Sequence, residues 1–326
     1  MTPAPGGPTG SPNGRADPGG DERGSRGDPP GLLIEAGRRD ALRRRIDDRA
    51  DALRDLPWRR TRDPWAILVA ETMLQQTQVA RVVPRWETFL ARWPDPAAAA
   101  AAPVADVIAA WDGLGYNRRA VNLHGAATAI VDEHAGRVPS ALDDLVALPG
   151  VGPYTARAVA VFAFEQPEAV VDSNVARLLA RAVAGRSLGR RELQAHADAL
   201  VPPATPWRHN QAIMEVGART CTKRAPRCDA CCLQDLCAWQ EVGGPDALDD
   251  PAITTAGVAN RQSRFAGSDR QGRGRLVRVL RHRPVAVAEV ADLVGWDNPE
   301  RVAMMVAGLV DDRLVERDRD QLRLPR

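Results

Sequence analysis

The sequence predicts an all-α protein that ends in a small winged-helix-like unit. Three observations predict it. Between residues 32 and 239 apolar residues recur at helical spacing, and no convincing alternating strand interrupts them. Pro94, Pro103, Pro139 and Pro149 fall where one helix should give way to the next. Residues 268–326 repeat the helical pattern and then close on a short hairpin.

Taken in order, residues 1–31 are rich in Gly and Pro with scattered charge, and are expected to form a disordered tail. Asp63-Pro64 is a good N-cap and first-turn pair for a helix running through Glu71. Residues 243–267 are polar and irregular, which suits a linker. The last unit should contain a helix from Arg273, a second in VAVAEVADLV, a third from Pro299, and a terminal hairpin.

With 326 residues and a formal charge of +2, the chain has room for more than one core and does not announce a polyanion partner by charge alone. Lys223 is the only lysine; every other base is arginine, which suits forked phosphate contacts but equally follows from genome composition. No run of roughly 18 apolar residues and no signal-like start occur, and the alanine run at 97–102 is too short to span a bilayer. A soluble, cytoplasmic, monomeric protein is the expectation. In that setting five cysteines, all between Cys221 and Cys237, suggest metal rather than disulfides. The five histidines show no ligand spacing.

The segment CTKRAPRCDACCLQDLC places Cys221, Cys228, Cys231 and Cys237 at C-x6-C-x2-C-x5-C. Spacing alone leaves both zinc and a cubane iron–sulfur cluster open, although a zinc ribbon normally uses two C-x2-C knuckles. The spacing resembles the iron–sulfur loop of the endonuclease III and adenine glycosylase superfamily. That resemblance implies a 4Fe-4S cluster on these four thiolates. Cys232 stands where the family usually has proline. Lys223, Arg224 and Arg227 either grip phosphates or keep the loop soluble.

LVALPGVGPYTARAVAVFAF reads as two apolar helices joined by a turn containing Leu148, Gly150, Val151 and Gly152. Glycines allow a tight turn whose backbone N–H groups can hold a DNA phosphate; an ordinary helix connection is the plainer alternative. The turn resembles the helix-hairpin-helix of the same superfamily. The resemblance implies the helix-hairpin-helix DNA glycosylase fold: a six-helix barrel domain over 64–166, and an iron–sulfur domain over 32–63 and 167–242. Members that also cut the backbone carry a lysine where this chain has Tyr154. Arginine stays protonated and cannot replace that nucleophile.

AILVAETMLQQTQ puts one carboxylate, Glu71, on an apolar face. Such an acid is either paired, with Arg81 or another arginine, or kept protonated for use. Asp172, in VVDSNVAR, starts a helix and suits an N-cap. Both segments resemble those of MutY-type adenine DNA glycosylases. There the glutamate protonates adenine, the aspartate steadies the sugar cation, and water completes hydrolysis.

The same resemblance implies further site residues. Tyr154 and Asn174 would line the adenine pocket, with Trp58 and Arg59 of LPWR and Glu215 of NQAIMEVGA at pocket positions; Glu215 is as easily a structural helix acid. Gln76, flanked by Leu74 and Thr77, is the candidate wedge that fills the gap left by a flipped base, or else a surface glutamine. Tyr116 matches the tyrosine inserted beside the opposing guanine, and Asn117 replaces a second aromatic there.

The family's usual Nudix-related C-terminal domain is not legible. The tail instead carries Arg270, Arg273, Arg275 and Arg278, suited to DNA or to a partner protein. The expected activity is that of a monofunctional adenine DNA glycosylase on double-stranded DNA holding A opposite 8-oxoguanine or G. A thymine or uracil mismatch glycosylase and a non-catalytic iron–sulfur DNA-binding regulator are the alternatives.

Overall fold

A computed structural model describes residues 34–246, 249–258 and 264–326. The tail expected at 1–31 lies outside the described residues. The described chain is overwhelmingly helical, and among the described residues no helix is long and apolar enough to cross a membrane.

Helix α1 (Ala36–Asp47) leads through a short turn at Pro57–Arg59 into α2 (Pro64–Leu74). Asp63 caps α2 as its sequence predicts, its carboxylate accepting from Trp65 N at 2.8 Å and Ala66 N at 3.2 Å. Residues 65–73 of this helix are all buried. A helix apolar on every side belongs in the middle of a core, and α2 packs on α3 (Val79–Arg92), α6 (Arg118–Glu133) and α8 (Pro153–Phe164). The short helices α4 (Pro96–Ala100), α5 (Val104–Ala110) and α7 (Leu142–Ala147) complete this first body, α4 and α5 against α6 and α7 against α8. Trp65 and Trp86 bury their rings and still satisfy their N–H groups: Trp65 donates to Trp93 O at 3.1 Å and Trp86 to Ala66 O at 2.8 Å.

A second core gathers Leu42, Ile46, Leu178, Leu179, Leu200 and Leu233. It is built by α1, α9 (Ser173–Leu178), a π-helical turn at Leu179–Ala184, α10 (Arg190–Leu200), α11 (Pro206–Arg219) and α12 (Ala238–Glu241). Helix α11 touches both α8 and α9, so it spans the seam between the cores. Within the segment expected to be a linker, residues 249–258 pack down: Asp250 pairs with buried Arg181, and Ala256 N donates to Leu188 O at 3.0 Å.

The C-terminal unit has α13 (Asp269–Leu280), β1 (Val285–Ala286), α14 (Val290–Val294), α15 (Pro299–Asp311) and the hairpin β2 (Glu316–Asp318) and β3 (Gln321–Arg323). The antiparallel sheet order is β1-β3-β2, the winged-helix arrangement of three helices and a wing. Two details differ from the sequence reading. Helix α13 starts four residues earlier than Arg273, at Asp269, and VAVAEVADLV opens with a two-residue strand rather than a helix. Val285 pairs with Leu322 across the sheet, a long-range contact that helical periodicity could not reveal. Leu276, Val290, Val306 and Leu322 run continuous with the core of the first body.

Candidate active site

Glu71 lies in the third turn of α2, 5 % exposed among apolar neighbours. Burial without a cationic partner penalises its ionised form and pushes its pKa up to about 7. Its partner is the hydroxyl of Tyr154, the second residue of α8, and not Arg81. Arg81 faces a separate cleft. Tyr154 is itself pushed well above the ordinary tyrosine value by burial and by the two nearby acids. It therefore stays a hydrogen-bond donor at any working pH.

Asp172 is the N-cap of α9 and is close enough to Glu71 to disfavour a second negative charge there. Its own pKa is also raised by burial, but three N–H donors oppose that effect: Asn174 N at 2.8 Å, Val175 N at 2.7 Å and Asn174 Nδ2 at 2.7 Å. Glu71 has one hydroxyl for the same purpose. The first proton taken by the pair therefore belongs on Glu71, leaving Asp172 as the anion. Asp172 and Tyr154 are half-buried whereas Glu71 is buried, so the acid sits at the floor of the site.

A chain of contacts holds Asp172 in place. Asn174 Oδ1 accepts from Arg177 Nη2 at 2.9 Å, and Arg177 also donates to Gly217 O at 2.6 Å and, through Nε, to Cys221 O at 2.6 Å. Gly217 is required by this approach, since a Cβ there would lie 2.7 Å from Asn174 O. The sequence reading missed Arg177.

It also missed Arg119. This buried residue donates from Nη1 to Thr72 O (2.8 Å) and Met73 O (2.9 Å), and from Nη2 to Thr77 Oγ1 (3.0 Å), Leu114 O (3.1 Å) and Gly115 O (2.9 Å). It thus satisfies the carbonyls at the end of the Glu71 helix and ties them to the loop of Tyr116. Burial lowers its pKa to about 10, still far above neutrality. A signal was present: Arg119 is in helical phase with buried Leu123, Ala126 and Ile130, the same charge-on-an-apolar-face oddity that exposed Glu71.

Gln76 and Tyr116 adopt positive φ, 56° and 46°, and both line one large cleft beside the carboxylates. Neither Glu71, Tyr154 nor Asp172 lines that cleft. Leu74 ends α2, half-buried, and Thr77 is held by Arg119. Trp58 is buried edge-on against Trp86, with ring centroids 6.1 Å apart. Arg59 and Glu215 meet each other: Arg59 Nη2 donates to Glu215 at 3.0 Å, Arg54 Nε joins at 2.8 Å, and Arg59 Nε reaches Gln211 Oε1 at 2.7 Å. This links α11 to the turn before α2.

In the hairpin between α7 and α8, Leu148 and Val151 are buried while Gly150 and Gly152 are exposed. Gly150 has φ +77°, and a Cβ there would lie 2.6 Å from Asn122 Cβ. Gly152 faces open space at the N-terminus of α8. Cys221, Cys228, Cys231 and Cys237 line one cavity with Arg181 and Trp239; Cys232 stays out of it and faces Arg49. Among the described residues no three His, Cys, Asp or Glu side chains converge on a single ion.

Residues 69–203 match the HhH-GPD superfamily of base excision DNA repair proteins. The chain is 44 % identical over 275 residues to an adenine DNA glycosylase of Mycolicibacterium smegmatis, covering 82 % of this chain and 90 % of that protein. It is 46 % identical over 275 residues to the adenine DNA glycosylase of Mycobacterium tuberculosis, covering 82 % and 87 %. The structure of a thermostable thymine-DNA glycosylase superposes with a TM-score of 0.59 at 29 % identity, over 63 % of this chain and 97 % of that one.

Proposed function

This chain belongs to the MutY-type adenine DNA glycosylases of the helix-hairpin-helix superfamily, and we propose that it hydrolyses the N-glycosidic bond of adenine opposite 8-oxoguanine or guanine, without cutting the DNA backbone. One observation carries the reading: a buried Glu71, its pKa raised to about 7, beside an N–H-bound Asp172.

The steps follow from that pair. Adenine must leave the stack to reach Glu71, at a cost of about a few kcal/mol. Gln76 and Tyr116, on the adjoining cleft, are placed to fill the space it leaves. Glu71 gives its proton to a ring nitrogen of adenine, so the C1′–N9 electron pair departs with a neutral base. Asp172 stabilises the positive charge that develops on the deoxyribose, and water adds to C1′ while giving one proton to the now ionised Glu71, which restores the acid. Tyr154 holds Glu71 toward the base by its hydroxyl.

Base loss without strand cleavage follows from the side chains available. A Schiff-base lyase needs an amine nucleophile, and the position after the hairpin is Tyr154. The sole lysine, Lys223, lies in the cysteine loop.

Four thiols lining one cavity fit a 4Fe-4S cluster. Cys221, Cys228, Cys231 and Cys237 would hold it, and its contribution would be to staple the loop. The Arg177 bond to Cys221 O then connects that loop to Asn174 and Asp172.

The deciding assay uses duplexes with A, T or U opposite 8-oxoguanine or G, scored for strand breaks with and without alkali. Breaks at adenine only after alkali are expected. Breaks without alkali would refute the lysine argument, and loss of T instead would move the chain toward the thymine glycosylase whose structure it resembles.

A further inference from the structure

Three of the four arginines that mark the C-terminal unit turn into the cleft of Gln76 and Tyr116. Arg270, Arg273 and Arg278 of α13 line it together with Arg81, Arg85 and Tyr116 of the first body. Arg275 turns away and donates to Val294 O at 2.8 Å, closing the end of α14. Eight arginines line the cleft against two aspartates. Each acid is shared between elements: Asp112 meets Arg281 and Arg85, and Asp312 meets Arg273 and Arg118. The acids therefore fasten the C-terminal unit to the first body, and a large cationic excess remains after both are neutralised.

We propose that α13 is the phosphate-binding wall for the DNA strand opposite the excised base. The Gln75–Thr77 turn separates two sides. On one, Gln75 Nε2 donates to Thr155 Oγ1 at 3.2 Å, facing α8 and the carboxylates that receive the flipped base. On the other, Arg270 Nη1 donates to the Tyr116 hydroxyl at 3.0 Å. A duplex that sends one nucleotide toward Glu71 presents its second strand beyond Tyr116, where α13 waits. An excess of arginine lining an open cleft, continuous with the turn that meets the bases, matches a phosphate backbone in charge. The proposal rests on the cleft facing DNA, not on which base is removed.

The test therefore avoids base identity. The full chain and R270A/R278A are titrated with a duplex holding one tetrahydrofuran abasic analogue, across a salt series. The variant is expected to bind roughly tenfold more weakly at moderate salt, with the salt slope smaller by about two. R270K/R278K should keep the slope, because point charges suffice for phosphate. Uncharged methylphosphonates opposite the abasic site should weaken the parent protein but not R270A/R278A. Placed in the abasic strand, they should weaken both alike. An unchanged slope in a variant of unchanged melting temperature would assign α13 to a protein partner and overturn the proposal. So would coupling to the abasic strand. Failure of adenine excision in the alkali assay would leave these binding results standing, so the two readings fail separately.

Discussion

The Tyr154 hydroxyl donates to the Glu71 carboxyl at the floor of a site whose third member, Asp172, is anchored by three N–H groups. This asymmetry divides the labour between two acids. Burial acts on both, but only one has enough donors to remain an anion comfortably.

Excision should therefore follow a bell in pH. With Glu71 titrating at about 7, the single-turnover rate should fall about tenfold per pH unit above that value. The lower limb, where Asp172 takes a proton, should lie above the ordinary aspartate value because burial raises it. Tyr154→Phe removes the one hydrogen bond that lowers the Glu71 pKa, so the upper limb should move to higher pH. An upper limb that stays in place would mean Tyr154 does not act on Glu71.

The same acid makes a stability prediction of definite sign. A carboxyl whose folded pKa is raised binds its proton more tightly in the folded state, so its favourable contribution is complete below about 4.5 and lost as pH rises through about 7. Across that window the parent protein should lose about 1.4 kcal/mol per pH unit relative to Glu71→Gln, which cannot ionise. Denaturant midpoints at pH 5 and pH 8 measure it. Equal dependence in both proteins would place the ionised acid in water.

At the hairpin, fold and binding can be separated. A Cβ at Gly152 meets nothing, and its φ is −93°, so Gly152→Ala should leave the melting temperature unchanged. The added methyl would still stand between the α8 N-terminus and a phosphate, so duplex affinity should fall severalfold. Unaltered affinity would reduce the turn to a connection. Gly150→Ala, with φ +77° and Asn122 in the way, should lose stability as well, by about 1–3 kcal/mol.

The helices and the two carboxylates were legible because local rules govern them: Asp63-Pro64 starts α2, and a lone acid in an apolar stretch stands out. Strand β1 was not, since two residues acquire their state from Leu322 and Gln321 far along the chain. Arg119 and Arg177 were missed for a related reason. Each is held by backbone carbonyls, which every sequence has, and only the helical phase of Arg119 with buried Leu123, Ala126 and Ile130 gave a sign of either. The Arg59–Glu215 pair was visible only as two separate pocket positions until the fold brought them within 3.0 Å.

The fifth thiol provides a test of the cysteine assignment. Cys228→Ser should lose iron and the broad visible absorption of thiolate-to-iron charge transfer, because Cys228 lines the cavity. Cys232→Ser should keep both, because Cys232 is outside that cavity. Iron lost from Cys232→Ser but kept by Cys228→Ser would reverse the ligand set.

Gly217 links these threads. It lies on α11, its carbonyl accepts from Arg177, and its Cα is pressed against Asn174 so closely that a Cβ would stand 2.7 Å from the Asn174 carbonyl oxygen. Backbone atoms cannot swing aside as a side chain does, so Gly217→Ala must displace either α11 or the start of α9. Asn174 supplies two of the three donors to Asp172, and a shift of α9 weakens them together. The variant should lose about 1–3 kcal/mol of stability, as an overpacked core position does. It should lose excision rate by a larger factor than that destabilisation explains, measured at saturating enzyme below its melting range. With fewer donors, Asp172 should also hold its proton more tightly, so the lower limb of the pH profile should move up. A variant that melts early yet keeps the parent's profile would show that Asp172 is positioned independently of α11.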